Sequence, residues 1–286
     1  MKWYTKYLSA FGDFSNISDD IFRKIHDNLR KLEREQVDAS VVVIAYNEEG
    51  NILPCIWSLS EMQTDLSVEI IVVNNASTDR TQEILDRMGV RNVFQPKPGH
   101  GHARQAGLEI ARGKYHFTAD SDTLYPPTYI DTMIKYLSKP NVSAVFTPCG
   151  FYVGNGKKQG LLKIYEFFRD KIFWLRSYKR PEYCVGGATF AFYTEHAKEI
   201  GWRTHILRGE DGAMLTELKR FGKPVLVLSQ KARVKTSSRR LYKDGDGSLL
   251  RMMWRHVYKD IKRIPRFFTK HAYYEDQPYN LRDDKQ

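Results

Sequence analysis

At 286 residues, with 42% apolar and 13% aromatic side chains, the chain is long enough for one large core and too hydrophobic to stay disordered over most of its length. Three cysteines (Cys55, Cys149 and Cys184), odd in number and far apart, exclude a disulfide framework and a paired-cysteine zinc site, and fit a reducing compartment. The formal charge of +11 sits almost entirely between Gln230 and Lys270, where thirteen Lys/Arg meet three Asp, and such a block calls for an anionic partner: phosphate, a lipid surface or nucleic acid.

The first residues, MKWYTKY, lack the apolar stretch of a signal peptide, and no window nears the roughly 18 apolar residues of a membrane span. A cytoplasmic protein is expected, soluble or peripheral on the inner face of a membrane. Residues 1–37 read as a charged extension. Ser18 is placed to cap a helix towards Gln36, with Ile21, Phe22, Ile25, Leu29 and Leu32 at helical spacing.

From Ser40 the pattern is that of a doubly wound, mostly parallel α/β sheet with helices on both faces. Strands are expected at Val41–Ala45, Glu69–Val73, Asn92–Phe94 and Lys114–Ala119, separated by helices over Asn51–Met62, Asp79–Met88 and His102–Ala111. The rhythm then loosens. Helices are expected at Thr128–Leu137, Gly160–Leu175 and Asp211–Phe221, and strands at Ser143–Phe146, Thr189–Tyr193 and Val225–Leu228. This divides the main body, 38–228, into a regular half at 38–125 and a looser half at 126–228. The basic segment 229–286 follows. Within it Leu249, Leu250, Met253, Trp254, Val257, Ile261 and Ile264 recur at helical spacing among Lys and Arg, then Phe267 and Phe268. Its helix either lies on anionic lipid or closes the core.

Three strands deliver polar residues to one sheet edge. The first ends in Ala45-Tyr46-Asn47-Glu48 and the second in Asn74-Asn75-Ala76-Ser77. The fourth ends in Asp120-Ser121-Asp122, two carboxylates separated by one small residue. Residues i and i+2 of an extended backbone point the same way, so the aspartates can meet at one point beyond the strand's carboxyl end, where open α/β sheets hold ligands. Two hard oxygen donors suit Mg²⁺ or Mn²⁺ carrying a diphosphate. The loop Pro96–Arg104 is neither GxxxxGK[ST] nor GxGxxG. Its histidines, His100 and His102, have no third metal ligand nearby, whereas Arg104 is suited to an anionic nucleotide.

Taken in order, VVVIAYNEEGNI, EIIVVNNASTDRT, GHGHARQAGLEIARGKYHFTADSDT and RGEDGAMLTELKRFGK resemble the family 2 glycosyltransferases over roughly Ser40 to Gly222. The resemblance implies the GT-A fold, hexosyl transfer from a UDP- or GDP-sugar, a divalent metal and inversion at the anomeric carbon. It implies that Ala45, Tyr46 and Glu48 lie beside base and ribose, with Asn74 where the family often has a base-reading aspartate. Asp120 and the adjoining Ser121 would face the ribose and metal shell, Asp122 would bind the metal, and Asp211 would be the catalytic base. Some relatives carry a metal-binding histidine where this chain has Lys235 and Thr236. On chemical grounds an inverting enzyme needs a carboxylate separate from the metal pair to take the acceptor's proton, and Glu210-Asp211 opens a helix in the second half.

Arg239 and Arg240 are placed to neutralise a leaving diphosphate. Gly186, Gly187 and Trp174 are expected around a glycan or lipid-linked acceptor. A sugar-nucleotide nucleotidyltransferase is the nearest alternative, although no Gly-rich phosphate loop follows Val41–Ile44. A nucleic-acid-binding protein acting through the basic segment is the non-enzymatic alternative, and it leaves the aspartates unexplained.

Overall fold

The computed structural model describes residues 2–152, 159–206 and 209–237. Arg239, Arg240 and the expected helix with Trp254, Phe267 and Phe268 lie outside the described residues.

Unbroken runs of β-branched residues make β1 (Ala39–Ala45) and β2 (Val68–Asn74), both buried along their whole length. They pair in parallel from Ala39 opposite Val68 to Ala45 opposite Asn74. β3 (Arg91–Phe94) extends this side, while β4 (Tyr115–Asp120) lies on the other side of β1, with Asp120 opposite Ile44. β6 (Val142–Phe146), β8 (Phe190–Tyr193) and β9 (Lys223–Leu226) complete a seven-stranded sheet in the order β3-β2-β1-β4-β8-β6-β9. Only β8 runs against its neighbours. From β1 the chain winds outward through β2 and β3 and returns to β4 on the opposite flank. The strand order therefore reverses between β1 and β4, and this opens a crevice at their carboxyl ends.

Alternation along β1 assigns each face its helices. Val41 and Val43 belong to the larger core, which holds residues of α1 (Asp19–Leu32), α2 (Ile52–Ser60), α3 (Thr81–Met88) and α5 (Tyr129–Leu137). Val42 and Ile44 pack with Ala103 of α4 (His100–Ile110) on the other face. A third cluster joins Phe190 and Phe192 to α7 (Thr194–Ile200) and α8 (Glu210–Leu218). α6 (Gln159–Ser177) runs along the second half of the chain.

Much of the segment before β1 is integral to the larger core: Tyr4, Tyr7, Phe14, Phe22 and Ile25 are buried in it. The Ser18 hydroxyl caps α1 by accepting from the Asp20 N–H, and the Tyr7 hydroxyl donates to Glu61 at 2.7 Å.

A second, small sheet was not expected. β5 (Thr123–Leu124) pairs antiparallel with β10 (Lys235–Ser237), which also pairs in parallel with β7 (Gly150–Tyr152). It brings residue 236 beside the turn after β4. Among the described residues, no helix is long and apolar enough to cross a membrane.

Candidate active site

A cavity of about 290 Å³ opens at the carboxyl ends of β1 and β4. Its wall includes Ala45, Tyr46 and Glu48 from β1 and its turn, and Asp120, Ser121 and Asp122 from the end of β4. Arg104 comes from α4, Gly187 from the loop before β8, and Glu210 and Asp211 from the start of α8. Segments distant in sequence thus meet in one hollow.

Local geometry explains how each wall is held. After β1 the chain turns through Asn47 at φ +51°, a left-handed conformation that asparagine adopts more readily than most residues. The Asn47 N–H donates to the Ser77 hydroxyl at 3.0 Å, and its side-chain carbonyl accepts from the Thr78 N–H at 2.8 Å. These bonds tie the first two strand ends together. At the end of β4 the Asp120 N–H donates to the Tyr125 hydroxyl, which donates in turn to the Ala188 carbonyl at 3.0 Å. One buried phenol therefore fixes the aspartate turn relative to the glycine loop. Asp122 is buried, with the hydroxyls of Thr123 and Thr236 at 3.3 and 3.4 Å from its Oδ1. Gly209, at φ +91°, turns the chain so that α8 begins with Glu210 and Asp211 in its first turn.

Arg104 is the electrostatic centre, and it is almost fully buried. Its Nη2 donates to Asp120 Oδ1 at 3.3 Å, and its Nε lies 3.2 Å from Asp211 Oδ1 and 3.7 Å from Glu210 Oε1. Burial opposes the guanidinium's charge, but Asp211, Asp120 and Glu210 together outweigh it and push its pKa up. The approach to Asp211 is not aligned as a hydrogen bond. Among the described residues, Nε and Nη1 of Arg104 and Oδ1 of Asp211 are buried without a hydrogen-bond partner. Unsatisfied polar atoms beside an open cavity are a cost that a polar ligand or water would relieve.

Asp211 is raised to about 7, chiefly by burial. Arg104 works to lower it, while Glu210 and Asp120 add to the rise and His100 lowers it slightly. A carboxylate poised near neutrality suits a group that must take up a proton in one step and release it later.

Asp120 and Asp122 offer a metal ion two hard carboxylates beside open space. Among the described residues no group of three or more His, Cys, Asp or Glu converges as a metal cage. The donor set fits an ion that keeps two protein carboxylates and takes phosphate oxygens and water in its other positions.

Not every expected residue reaches the cavity. Asn74 is tied into its own turn, its amide N–H donating to Gln82 and its carbonyl accepting from the Ser77 N–H. Asn75 lines the wall instead. Its amide donates to the Gln95 and Lys97 carbonyls and its Oδ1 accepts from the Gly99 N–H, so it shapes the approach to α4. Gly186 and Trp174 are not among the lining residues; Trp174 lies on the outward side of α6. Gly187 does line the cavity, but the space above its Cα is filled by Arg104. A Cβ there would lie 1.6 Å from Nη2. Sequence reasoning missed Tyr125 and the wall position of His100, gave Thr236 no role of its own, and named Asn75 at the strand end but chose its neighbour as the base-side residue. For Asn75 the signal was present one residue away, in Asn74.

The family profile described as "Glycosyl transferase family 2" matches residues 40–200, more than half of the chain, so the protein belongs to that family. The hyaluronan synthase of Pasteurella multocida is 28% identical over a 177-residue alignment that covers 55% of this chain and 18% of that protein. The chain spans less than half the length of such curated relatives. Among solved structures, a mannosyltransferase from Pyrobaculum calidifontis in complex with GDP-Man and Mn²⁺ superposes with a TM-score of 0.57 at 18% identity, covering 86% of this chain and 74% of that one. TarS 1-349 of S. aureus in complex with UDP-GlcNAc gives 0.54 at 18% identity, covering 84% and 68%. The fold is GT-A.

Proposed function

We propose that the chain is a metal-dependent inverting glycosyltransferase that moves a sugar from a UDP- or GDP-sugar to an acceptor hydroxyl. The observation that carries this reading is the convergence of two carboxylate sets on one cavity. Asp120 and Asp122 close the end of β4, Glu210 and Asp211 open α8, and Arg104 lies between Asp120 and the α8 pair. Inversion in one step needs this separation, because one group must handle the leaving diphosphate while another takes the acceptor's proton.

In this reading Ala45, Tyr46 and Glu48 hold base and ribose, with Asn75 and Ser121 completing the wall. Asp122, steadied by Thr123 and Thr236, and Asp120 hold Mn²⁺ or Mg²⁺. When bound, the ion would neutralise charge on the departing diphosphate. Asp211 accepts the proton of the attacking hydroxyl, and Arg104 keeps its carboxylate available near neutral pH. The bound GDP-Man, Mn²⁺ and UDP-GlcNAc of the structural neighbours support a nucleotide-sugar donor. A glycan or lipid-linked acceptor in cell-surface polysaccharide synthesis, at the cytoplasmic face of a membrane, fits the family and the basic balance of the chain.

The test is product analysis with UDP- and GDP-sugars in the presence of Mn²⁺ or Mg²⁺. Release of nucleoside diphosphate, abolished by chelator, is expected. Release of pyrophosphate from a nucleoside triphosphate and a sugar phosphate would favour a nucleotidyltransferase instead.

A further inference from the structure

Helix α6 has two apolar sides, and packing within the described residues accounts for one of them. Leu162, Tyr165 and the alkyl stems of Arg169 and Arg176 turn inward and are buried. On the opposite side Ile164, Phe167, Phe168, Trp174, Leu175 and Tyr178 are 43–71% exposed. At 3.6 residues per turn these six fall within an arc of about 120°.

Charge on this side has one sign. Lys163, Lys171 and Lys179 are exposed; the helical period puts Lys171 within the apolar arc and the other two along its margins. The helix's two acids face the protein. Glu166 accepts from the Phe151 N–H at 2.6 Å and from Arg233 at 3.3 Å, and Asp170 pairs with Arg233 at 2.5 Å and Arg169 at 2.9 Å. Among the residues of α6, no carboxylate lies on the outer face.

A contiguous exposed apolar patch of this kind marks an interaction surface. Aromatic and aliphatic residues flanked by lysines form the pattern of a helix lying in the plane of an anionic bilayer, its rings at the headgroup boundary and its ammonium groups at lipid phosphate. We propose that the outer face of α6 seats the protein on an anionic lipid surface. Charge favours lipid over a second copy of this chain, because a two-fold contact would set lysines against lysines. The helix is followed by the turn Pro181–Tyr183, and the Cys184 thiol donates to the Phe173 carbonyl at 3.7 Å just before Gly187 reaches the cavity. A membrane on α6 therefore lies against the element that leads into the site's rim. Its use in presenting a lipid-linked acceptor rests on the proposed function; the lipid seat does not.

The test uses the full chain and vesicles of phosphatidylcholine with or without phosphatidylglycerol. Co-sedimentation should show binding to the anionic vesicles that weakens with salt. K163Q/K171Q/K179Q should reduce it roughly 10²-fold, at about fivefold per lysine near the surface, and F167S/F168S should reduce it as well. With brominated lipid, tryptophan quenching should be lost in Trp174→Phe and retained in Trp254→Phe. Three results would overturn the proposal: no preference for anionic vesicles; quenching kept in Trp174→Phe and lost in Trp254→Phe, which would move the seat to the basic terminal segment; or a stable lipid-free dimer that shields Trp174 from an aqueous quencher. Nucleotide affinity, measured alongside without lipid, reports on the transfer reading separately, since Lys163, Phe167, Phe168, Lys171, Trp174 and Lys179 do not line the cavity.

Discussion

Replacing Gly187 by alanine should uncouple Arg104 from the candidate base. A Cβ at this position would lie 1.6 Å from Arg104 Nη2 and 2.6 Å from its Cζ. Ordinary contact is about 3.5 Å, so the guanidinium must retreat by roughly 2 Å. The pairs that it now makes at 3.2 Å with Asp211 and 3.3 Å with Asp120 would lengthen to about 5 Å. With an effective dielectric of about 20, each loses about 2 kcal/mol of attraction. Arg104 holds the Asp211 pKa down, so its retreat must raise that pKa above its present value of about 7. A loss of about 2 kcal/mol corresponds to about 1.5 pKa units, which leaves the ionised fraction at pH 7 roughly 15-fold smaller. The assay is nucleoside diphosphate release as a function of pH. In the parent, turnover should fall as pH drops through about 7, because the base becomes protonated. In the variant the whole profile should move to alkaline pH, with turnover partly recovered there. A thermal melt checks that the variant folds. A folded variant with an unmoved inflection and full turnover would show that Arg104 does not govern Asp211.

Within the α8 pair, Asp211→Asn should keep donor affinity and lose transfer by roughly 10²-fold or more; an active Asp211→Asn beside an inactive Glu210→Gln would reassign the base to Glu210. Away from the site, Glu69 is fully buried and accepts from the Ser40 hydroxyl at 2.6 Å and from Arg112 N–H and Nε at 2.7 and 3.0 Å, with Arg91 also paired to it. Glu69→Ala should cost about 2–4 kcal/mol in denaturant unfolding, because the buried polar groups around it lose a charged acceptor. Burial alone would raise its pKa, but the bonds from Ser40 and Arg112 bring it below the ordinary glutamate value. Its contribution is therefore present above the unfolded-state pKa and lost as pH falls through the lower folded-state value. A Glu69→Ala variant whose loss of stability does not shrink in acid would contradict this.

The strand–helix alternation of the first half was legible because buried parallel strands write themselves as unbroken Val/Ile runs, each followed by a polar turn, and because α3 carries a clear helical period. Asp120, Asp122, Glu210 and Asp211 could be picked out because each pair follows a strand or opens a helix. Asn74 and Asn75 show where this fails: side chains alternate along a strand, so the choice between neighbours turns on where regular pairing ends. β5, β7 and β10 are two or three residues long, too short to show a period, and the small sheet that brings Thr236 to Asp122 was therefore invisible. Gly187 was expected to admit substrate, yet its missing Cβ accommodates an arginine from another helix, a contact that only the tertiary structure specifies. Trp174, expected near the acceptor as one of the aromatics from Phe151 onward, is exposed on the outward side of α6; sequence alone does not separate the two sides of that helix.

The measurement that bears most directly on the central claim is calorimetric titration of UDP and GDP into the protein with Mn²⁺, with Mg²⁺ and with chelator, repeated for Asp122→Ala. If Asp122 and Asp120 hold a cation that receives the donor's diphosphate, one of the two nucleotides binds much more tightly with metal than with chelator. Asp122→Ala then removes that difference while preserving the fold. Equal affinity with and without metal, or a metal effect that survives Asp122→Ala, would contradict the account.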